Sequence, residues 1–417
     1  MYYFYWLPMG TDAKVRGVPW ITWLILVANV LVFAALHALP GAEVAAYRFA
    51  FKAGQPTIQT AIGSLFLHAG SLEFLINVLF LACFGPPLES RVGPARFLIG
   101  FVGLGWLSNL AHAGWIAYLT PDMGTLPIVG AAGAISGLMG VFLVRLPFAH
   151  IQLASLRLLF TQGVFRPGRR TFPGVAAVFA WFGLQGWISL HDPVPEAALL
   201  GHLAALTMGM ILGWGMGLAP EGRLESLLAS GSRLAARGDW FAALGEYDAY
   251  LAAVPDHPEV LVQAARIERV LHQEPSAIEH FQLAIHLWLR EPDPRKACAA
   301  YDEMKRLFGA VTLPPKDLLR VARACEVLGR PADASRAYEE FGRRYPERAG
   351  SAVALLKSAE IETDALHNPA RARSLYHELL QRPLTPEIER LVQQRAGESE
   401  PPLVPAQSST AREETPA

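Results

Sequence analysis

Charge is scarce in the first half of this chain. Residues 1–219 of the 417 hold only 11 Lys+Arg and 7 Asp+Glu, while the remaining residues carry 25 and 30. So few charges over such a length exclude an ordinary water-soluble domain. The net charge of −1 also excludes a nucleic-acid binder built on bulk charge. Cysteine is nearly missing as well. Cys83, Cys298 and Cys325 are the only three. Their unrelated spacings give neither a disulfide framework nor a zinc motif. The charged second half therefore fits a reducing compartment.

What the first half does have is long apolar runs. Six of them are long enough to cross a bilayer, at about 20–38, 65–84, 96–119, 128–146, 172–190 and 197–218. The first is too long, and too soon followed by others, to be a cleaved signal peptide. Lys and Arg set the orientation. With the N-terminus inside, the inner segments carry Lys14, Arg16, Arg91, Arg96, Arg145, Arg157, Arg166, Arg169 and Arg170. The outer loops then carry only Arg48 and Lys52. This bias predicts cytoplasmic N- and C-termini in a multi-pass membrane protein, with a bacterial inner membrane as the expected location. No inverted repeat or charged pore ring marks a transporter or channel.

Ionisable groups inside spans are costly and mark functional candidates. The second span offers Glu73 and Asn77 on one helix face, with His68 just ahead of them. The sixth offers His202. Glycines at 130, 133, 137 and 140, and again at 209, 213 and 217, form strips that let helices approach closely. Such strips are common wherever membrane helices pack, so alone they indicate only a bundle. His68, Glu73 and His202 match no metal-ligand spacing, and neither a metal nor a cofactor is expected.

In order and spacing these blocks resemble the rhomboid family of intramembrane serine proteases. The resemblance runs from Pro19-Trp20-Ile21-Thr22-Trp23 through Phe66-Leu67-His68-Ala69-Gly70 and Glu89-Ser90-Arg91-Val92-Gly93. It continues with Gly133-Ala134-Ile135-Ser136-Gly137-Leu138-Met139-Gly140 and ends at Gly201-His202-Leu203-Ala204-Ala205. It implies a six-span all-α bundle and acyl transfer by a Ser–His dyad with an oxyanion hole. Position by position, His202 takes the place of the base and Asn77 that of the oxyanion asparagine. His68, Gly130 and Gly133 fall at substrate-binding positions. Arg48, after Tyr47, lies where the family commonly shows Trp-Arg.

Two positions depart from the pattern. The family's Gly-x-Ser-Gly reads Gly130-Ala131-Ala132-Gly133, so Ala132 replaces the nucleophile. Glu73 replaces the second oxyanion histidine. Alanine cannot form an acyl-enzyme, and loss of the nucleophile in a serine protease costs about 10⁶ in turnover. An ionised Glu73 would also repel a developing oxyanion. Ser136 offers a substitute hydroxyl, but it sits one helical turn from Ala132, about 6 Å away. The reading is a pseudoprotease. The alternative is an active intramembrane serine endopeptidase that uses Ser136, or a native serine at position 132.

Residues 220–394 repeat an Ala-x-x-x-aromatic signature: Ala243 with Tyr247, Ala277 with Phe281, Ala297 with Tyr301, Ala334 with Tyr338 and Ala372 with Tyr376. The intervals resemble tetratricopeptide repeats, which predicts a soluble α-solenoid on the cytoplasmic side. A generic helical bundle is the plainer reading. His257, His272, His280 and His286 sit at no ligand spacing. Residues 395–417 lack periodicity and read as a disordered tail. The expected partners are transmembrane segments, the lipid bilayer and a cytoplasmic protein held by the repeats, with no nucleic acid.

Overall fold

The computed structural model describes residues 2–159, 164–190, 194–291 and 293–398. These fall into two units, residues 1–226 and 227–417. The first unit opens with β1 (Tyr2–Thr11), α1 (Trp20–Ala38), α2 (Ala42–Ala46), β2 (Phe51–Lys52) and α3 (Ile58–Gly63). Next come α4 (Ser71–Val92), α5 (Pro94–Leu119), β3 (Pro127–Ile128) and α6 (Ala132–Arg145). The hairpin β4 (His150–Leu159) and β5 (Val164–Pro173) leads into α7 (Gly174–Ser189) and α8 (Pro195–Gly215). The helix α9 (Leu218–Ala236) carries the chain from the first unit into the second.

Among the described residues, α1, α4, α5 and α8 are long and apolar enough to cross a membrane, and α6 and α7 are shorter apolar helices. The helix α6 lies at the centre, with nearly every residue buried. Its 14 residues span only about 20 Å, less than the roughly 30 Å of a hydrocarbon core. Its unpaired N-terminal amides therefore need a polar environment supplied by neighbouring helices.

Glycine lets those neighbours approach. A Cβ on Gly209 would collide with the carbonyl oxygen of Gly137, and one on Gly140 with that of Leu206. These contacts bring the α6 and α8 backbones together. Gly133 and Gly137 turn instead to α5, where a Cβ would strike Ser108 and Leu104 respectively. The expected single strip on α6 is thus shared between two partners. Gly130 and Gly217 belong to neither contact. They adopt φ values of +118° and +71° at the turns before α6 and after α8, a region that favours glycine.

Several boundaries differ from the sequence expectation. The second span begins at Ser71, because residues 64–66 form a 3-10 turn. It also runs through Pro86 and Pro87 to Val92, past the expected stop at 84. The two prolines remove only the ladder donors that would reach the carbonyls of Ala82 and Cys83, and the helix continues past them. An all-α reading also missed a three-stranded antiparallel sheet in the order β1-β4-β5. Trp6 is in register with Ser155, and His150 with Pro173. The aromatic run of β1 favours a strand, but it had no partner visible in sequence.

The C-terminal end of α4 is pinned by two sets of contacts. Glu89 caps α1, accepting from the backbone N–H groups of Ile21 and Thr22 at 3.0 and 2.7 Å and from the Thr22 hydroxyl at 2.6 Å. Beyond it, Arg91 and Arg145, with side chains only 2% and 7% exposed, converge on Glu225 at the start of α9. Arg91 Nε donates to both carboxylate oxygens at 3.2 and 3.1 Å, and Arg145 Nη1 donates at 3.0 Å. Burial alone would raise the Glu225 pKa, but hydrogen bonds and charge from Arg91 and Arg145 hold it below the ordinary carboxylate range.

In the second unit α10 (Trp240–Ala253), α11 (Pro258–Val270), α12 (Glu274–Trp288), α13 (Arg295–Phe308) and α14 (Pro315–Val327) pack each on the next. The series continues through α15 (Pro331–Arg344), α16 (Ser351–Asp364), α17 (Pro369–Leu380) and α18 (Pro386–Glu398). The five alanines of the repeated signature are fully buried, and their aromatic partners nearly so. All of these pairs but Ala243 with Tyr247 belong to the hydrophobic clusters at the core of these helices. Cys298 and Cys325 are free and buried, with their sulfurs 3.3 Å apart. His280 and His286 meet Glu268 and Asp317 at 2.9 and 3.0 Å. Residues 395–398, expected in the tail, are the end of α18, and the rest of that tail lies outside the described residues.

Two outcomes follow for stability. Gly209→Ala is expected to force α6 and α8 apart and to cost about 1–3 kcal/mol; an unchanged melting temperature in detergent would refute the close contact. Glu225→Gln leaves two buried guanidiniums with a neutral partner. It is expected to cost about 2 kcal/mol, less than a fully enclosed pair, since the Glu225 side chain is 26% exposed. A carboxylate with a lowered pKa adds stability above its unfolded pKa and loses it as pH falls through the folded one. The gap in melting temperature between native chain and variant should therefore be full at neutral pH and close under acid.

Candidate functional site

The end of the bundle opposite Glu225 holds a cavity of about 350 Å³. The N-terminal ends of α4, α6 and α8 and the C-terminal halves of α5 and α7 surround it. Of the residues proposed from sequence, it is lined by Glu73, Gly130, Ala132, Gly133 and His202. His68, Asn77 and Ser136 do not line it.

The chain leading into α6 is fixed first. The N–H of Gly130 donates to the carbonyl of Ser64 at 2.9 Å, and Asn109 of α5 donates to the Ser64 hydroxyl at 2.9 Å. Gly130 can take its φ of +118° only with little strain because it lacks a Cβ. That missing Cβ also leaves room for Glu73: a side chain at position 130 would run into Glu73 Oε1. Thus the acid on the first turn of α4 lies against the approach to α6.

Ala132 then starts α6 and is 3% exposed. His202 comes from α8, and its ring carbon Cδ2 lies 3.8 Å from where a Gly133 Cβ would be. His202 Nδ1 is buried without a hydrogen-bond partner in the protein. Ser108 of α5 fills the space between Gly133 and Gly201, which explains why both are glycine: a Cβ on Gly201 would sit 2.8 Å from the Ser108 carbonyl oxygen.

Ser136 faces elsewhere. It is fully buried, donates to the Ala132 carbonyl at 2.8 Å and accepts from the indole N–H of Trp181 on α7 at 2.8 Å. Trp181 in turn packs on Phe80 of α4, with ring centroids 4.8 Å apart. The hydroxyl therefore ties α6 to α7. Asn77 is 2% exposed, and both of its amide atoms are buried without a protein partner. His68 is 7% exposed and meets the edge of Phe74, with ring centroids 5.4 Å apart.

Sequence reasoning missed His112, Asn109, Ser108 and Gln185, all of which line the cavity. A signal was available. Ser108 and His112 are four residues apart on α5, hence on one face, and an ionisable group in an apolar run is itself a marker. Gln185 of α7 is 2% exposed, with its Nε2 buried and without a partner. Among the described residues, no group of three His, Cys, Asp or Glu side chains is placed to hold a metal ion.

Comparison with known proteins gives this cavity a context. Residues 55–219 match the family model of the rhomboid domain. Rhomboid protein 1, mitochondrial, of Saccharomyces cerevisiae is 32% identical over 185 residues, which cover 43% of this chain and 46% of the yeast protein. YdcA of Bacillus subtilis is 37% identical over 89 residues, 21% of this chain and 42% of the relative. Rhomboid-related protein 3 of Homo sapiens is 26% identical over 153 residues, 36% of this chain and 34% of the relative. The chain spans less than half the length of each of these curated relatives. Together the matches support a rhomboid-family fold in a multi-pass membrane protein, with the likeness to the rhomboid domain running over residues 55–219.

Ser136→Ala would leave the buried Trp181 N–H without its acceptor. The expected result is a loss of about 1–3 kcal/mol in stability, read as a lower melting temperature. An unchanged melting temperature would mean that the hydroxyl does not hold α7 to α6.

Proposed function

We propose that this protein binds transmembrane segments in its rhomboid domain without cleaving them, and that its second unit recruits a cytoplasmic protein partner. The single observation that carries the reading is Ala132. A methyl group stands at the start of α6, bordering the same cavity as His202, where rhomboid chemistry requires a nucleophile. A methyl group offers no lone pair to attack a carbonyl, so the imidazole has no proton to accept. Glu73 adds to this. A carboxylate beside the approach to α6 opposes the negative charge that would develop on a carbonyl oxygen during acyl transfer.

Ser136 does not offset these losses on this reading, because its hydroxyl is committed to Ala132 and Trp181. The features that bind rather than cleave remain: the short α6, the glycine contacts and a polar cavity inside an apolar bundle. The buried Ala-x-x-x-aromatic pairs of the second unit suit tetratricopeptide-like stacking, which presents a surface for a peptide or protein. The nine-against-two excess of basic residues on one side supports cytoplasmic termini.

The test is cleavage of a generic rhomboid transmembrane substrate in liposomes by the chain as it stands, by Ala132→Ser and by Ala132→Ser with His202→Ala. The unmodified chain is expected to be silent. Ala132→Ser alone restores cleavage if only the nucleophile is missing, and His202→Ala then abolishes it. Cleavage by the unmodified chain would overturn the proposal.

A further inference from the structure

We propose that Glu73 makes the cavity selective for a transmembrane segment that presents a Lys or Arg side chain. This rests on the client-binding reading above and names the class of client. Among the described residues lining the cavity, Glu73 is the only carboxyl group, and no Lys or Arg is present. The other polar side chains there are neutral or weakly basic: Ser108, Asn109, His112, Gln185, Ser189 and His202. The cavity is thus biased toward a positive guest.

The position of Glu73 sharpens that bias. It belongs to the first turn of α4, and its Oε1 lies against the Cα of Gly130 on the chain leading into α6. Negative charge is favoured there by the N-terminal ends of two helices. A side chain at position 130 would remove that arrangement, so the glycine and the acid act together. For the guest, a cation held among lipid chains is costly, and a carboxylate within a polar cavity offsets the cost. A segment with a single Lys or Arg therefore gains from entering this cavity, while a wholly apolar segment gains only packing.

Glu73 also has a plain structural role to set against this, since an acid on the first turn stabilises a helix. Glu73→Gln separates the two. Glutamine keeps the size and hydrogen-bonding capacity and removes the charge.

The experiment uses the full chain in nanodiscs and synthetic transmembrane peptides that differ at one central position, Lys, Leu or Glu, scanned over one helical turn. Affinities are measured by fluorescence anisotropy for the native chain, Glu73→Gln and Glu73→Asp. The Lys peptide is expected to bind the native chain roughly tenfold tighter than the Leu peptide. Glu73→Gln should erase that preference with the Leu peptide unaffected, and Glu73→Asp should keep part of it. The Glu peptide should bind the native chain more weakly than the Gln variant.

A Lys preference that survives Glu73→Gln, or no Lys preference with the Leu peptide still bound, overturns the role of Glu73 and leaves the client-binding reading standing. Failure of every peptide to bind overturns both. Melting curves of each variant show that the comparison is made on folded protein.

Discussion

The first unit depends on the backbone contact between α6 and α8. Gly140 on one helix and Gly209 on the other leave no room for a single added carbon, because each faces a backbone carbonyl of the partner, that of Leu206 and that of Gly137. In lipid, where burying apolar surface brings helices together only weakly, such close approach is what packing has to offer. It also shapes the cavity. Ala132 begins α6 and His202 sits on α8, so the same contact that holds the bundle brings both residues to one cavity.

The opposite end of the same helices is held by charge. Running from Glu73 to Arg91, α4 spans about 27 Å, and α6 runs parallel in sense from Ala132 to Arg145. Both end on guanidiniums that share Glu225. Leu218, at the start of α9, is 2% exposed within the membrane unit's core, and Gly222 packs on the Arg145 carbonyl. The beginning of α9 is therefore a structural part of the first unit, and α4 and α6, which border the cavity, are anchored far from it.

Much of this was legible in the sequence, and the reasons for the misses are physical. The apolar runs and glycine spacing announced a helix bundle, and the departures at Ala132 and Glu73 could be read directly against the family pattern. That Glu73 would lie beside Gly130 could not be read, because the contact joins the first turn of α4 to the approach to α6, far apart in the chain. The stop expected at residue 84 failed because α4 continues through Pro86 and Pro87 to Val92, the prolines removing only the two donors that would reach the carbonyls of Ala82 and Cys83. The sheet was missed because β1 pairs with a strand some 150 residues away. The one-turn offset of Ser136 from Ala132 was legible but its partner, Trp181, was not, whereas His112 carried a signal that was overlooked.

The central claim is that the cavity holds no competent nucleophile. A serine-reactive fluorophosphonate, followed by peptide mass spectrometry on the intact chain in detergent, addresses this with no assumption about the client. The account predicts no covalent adduct anywhere in residues 126–202, with an adduct appearing at position 132 in the Ala132→Ser chain as the positive control. An adduct on Ser136 of the unmodified chain, lost on His202→Ala, would contradict it.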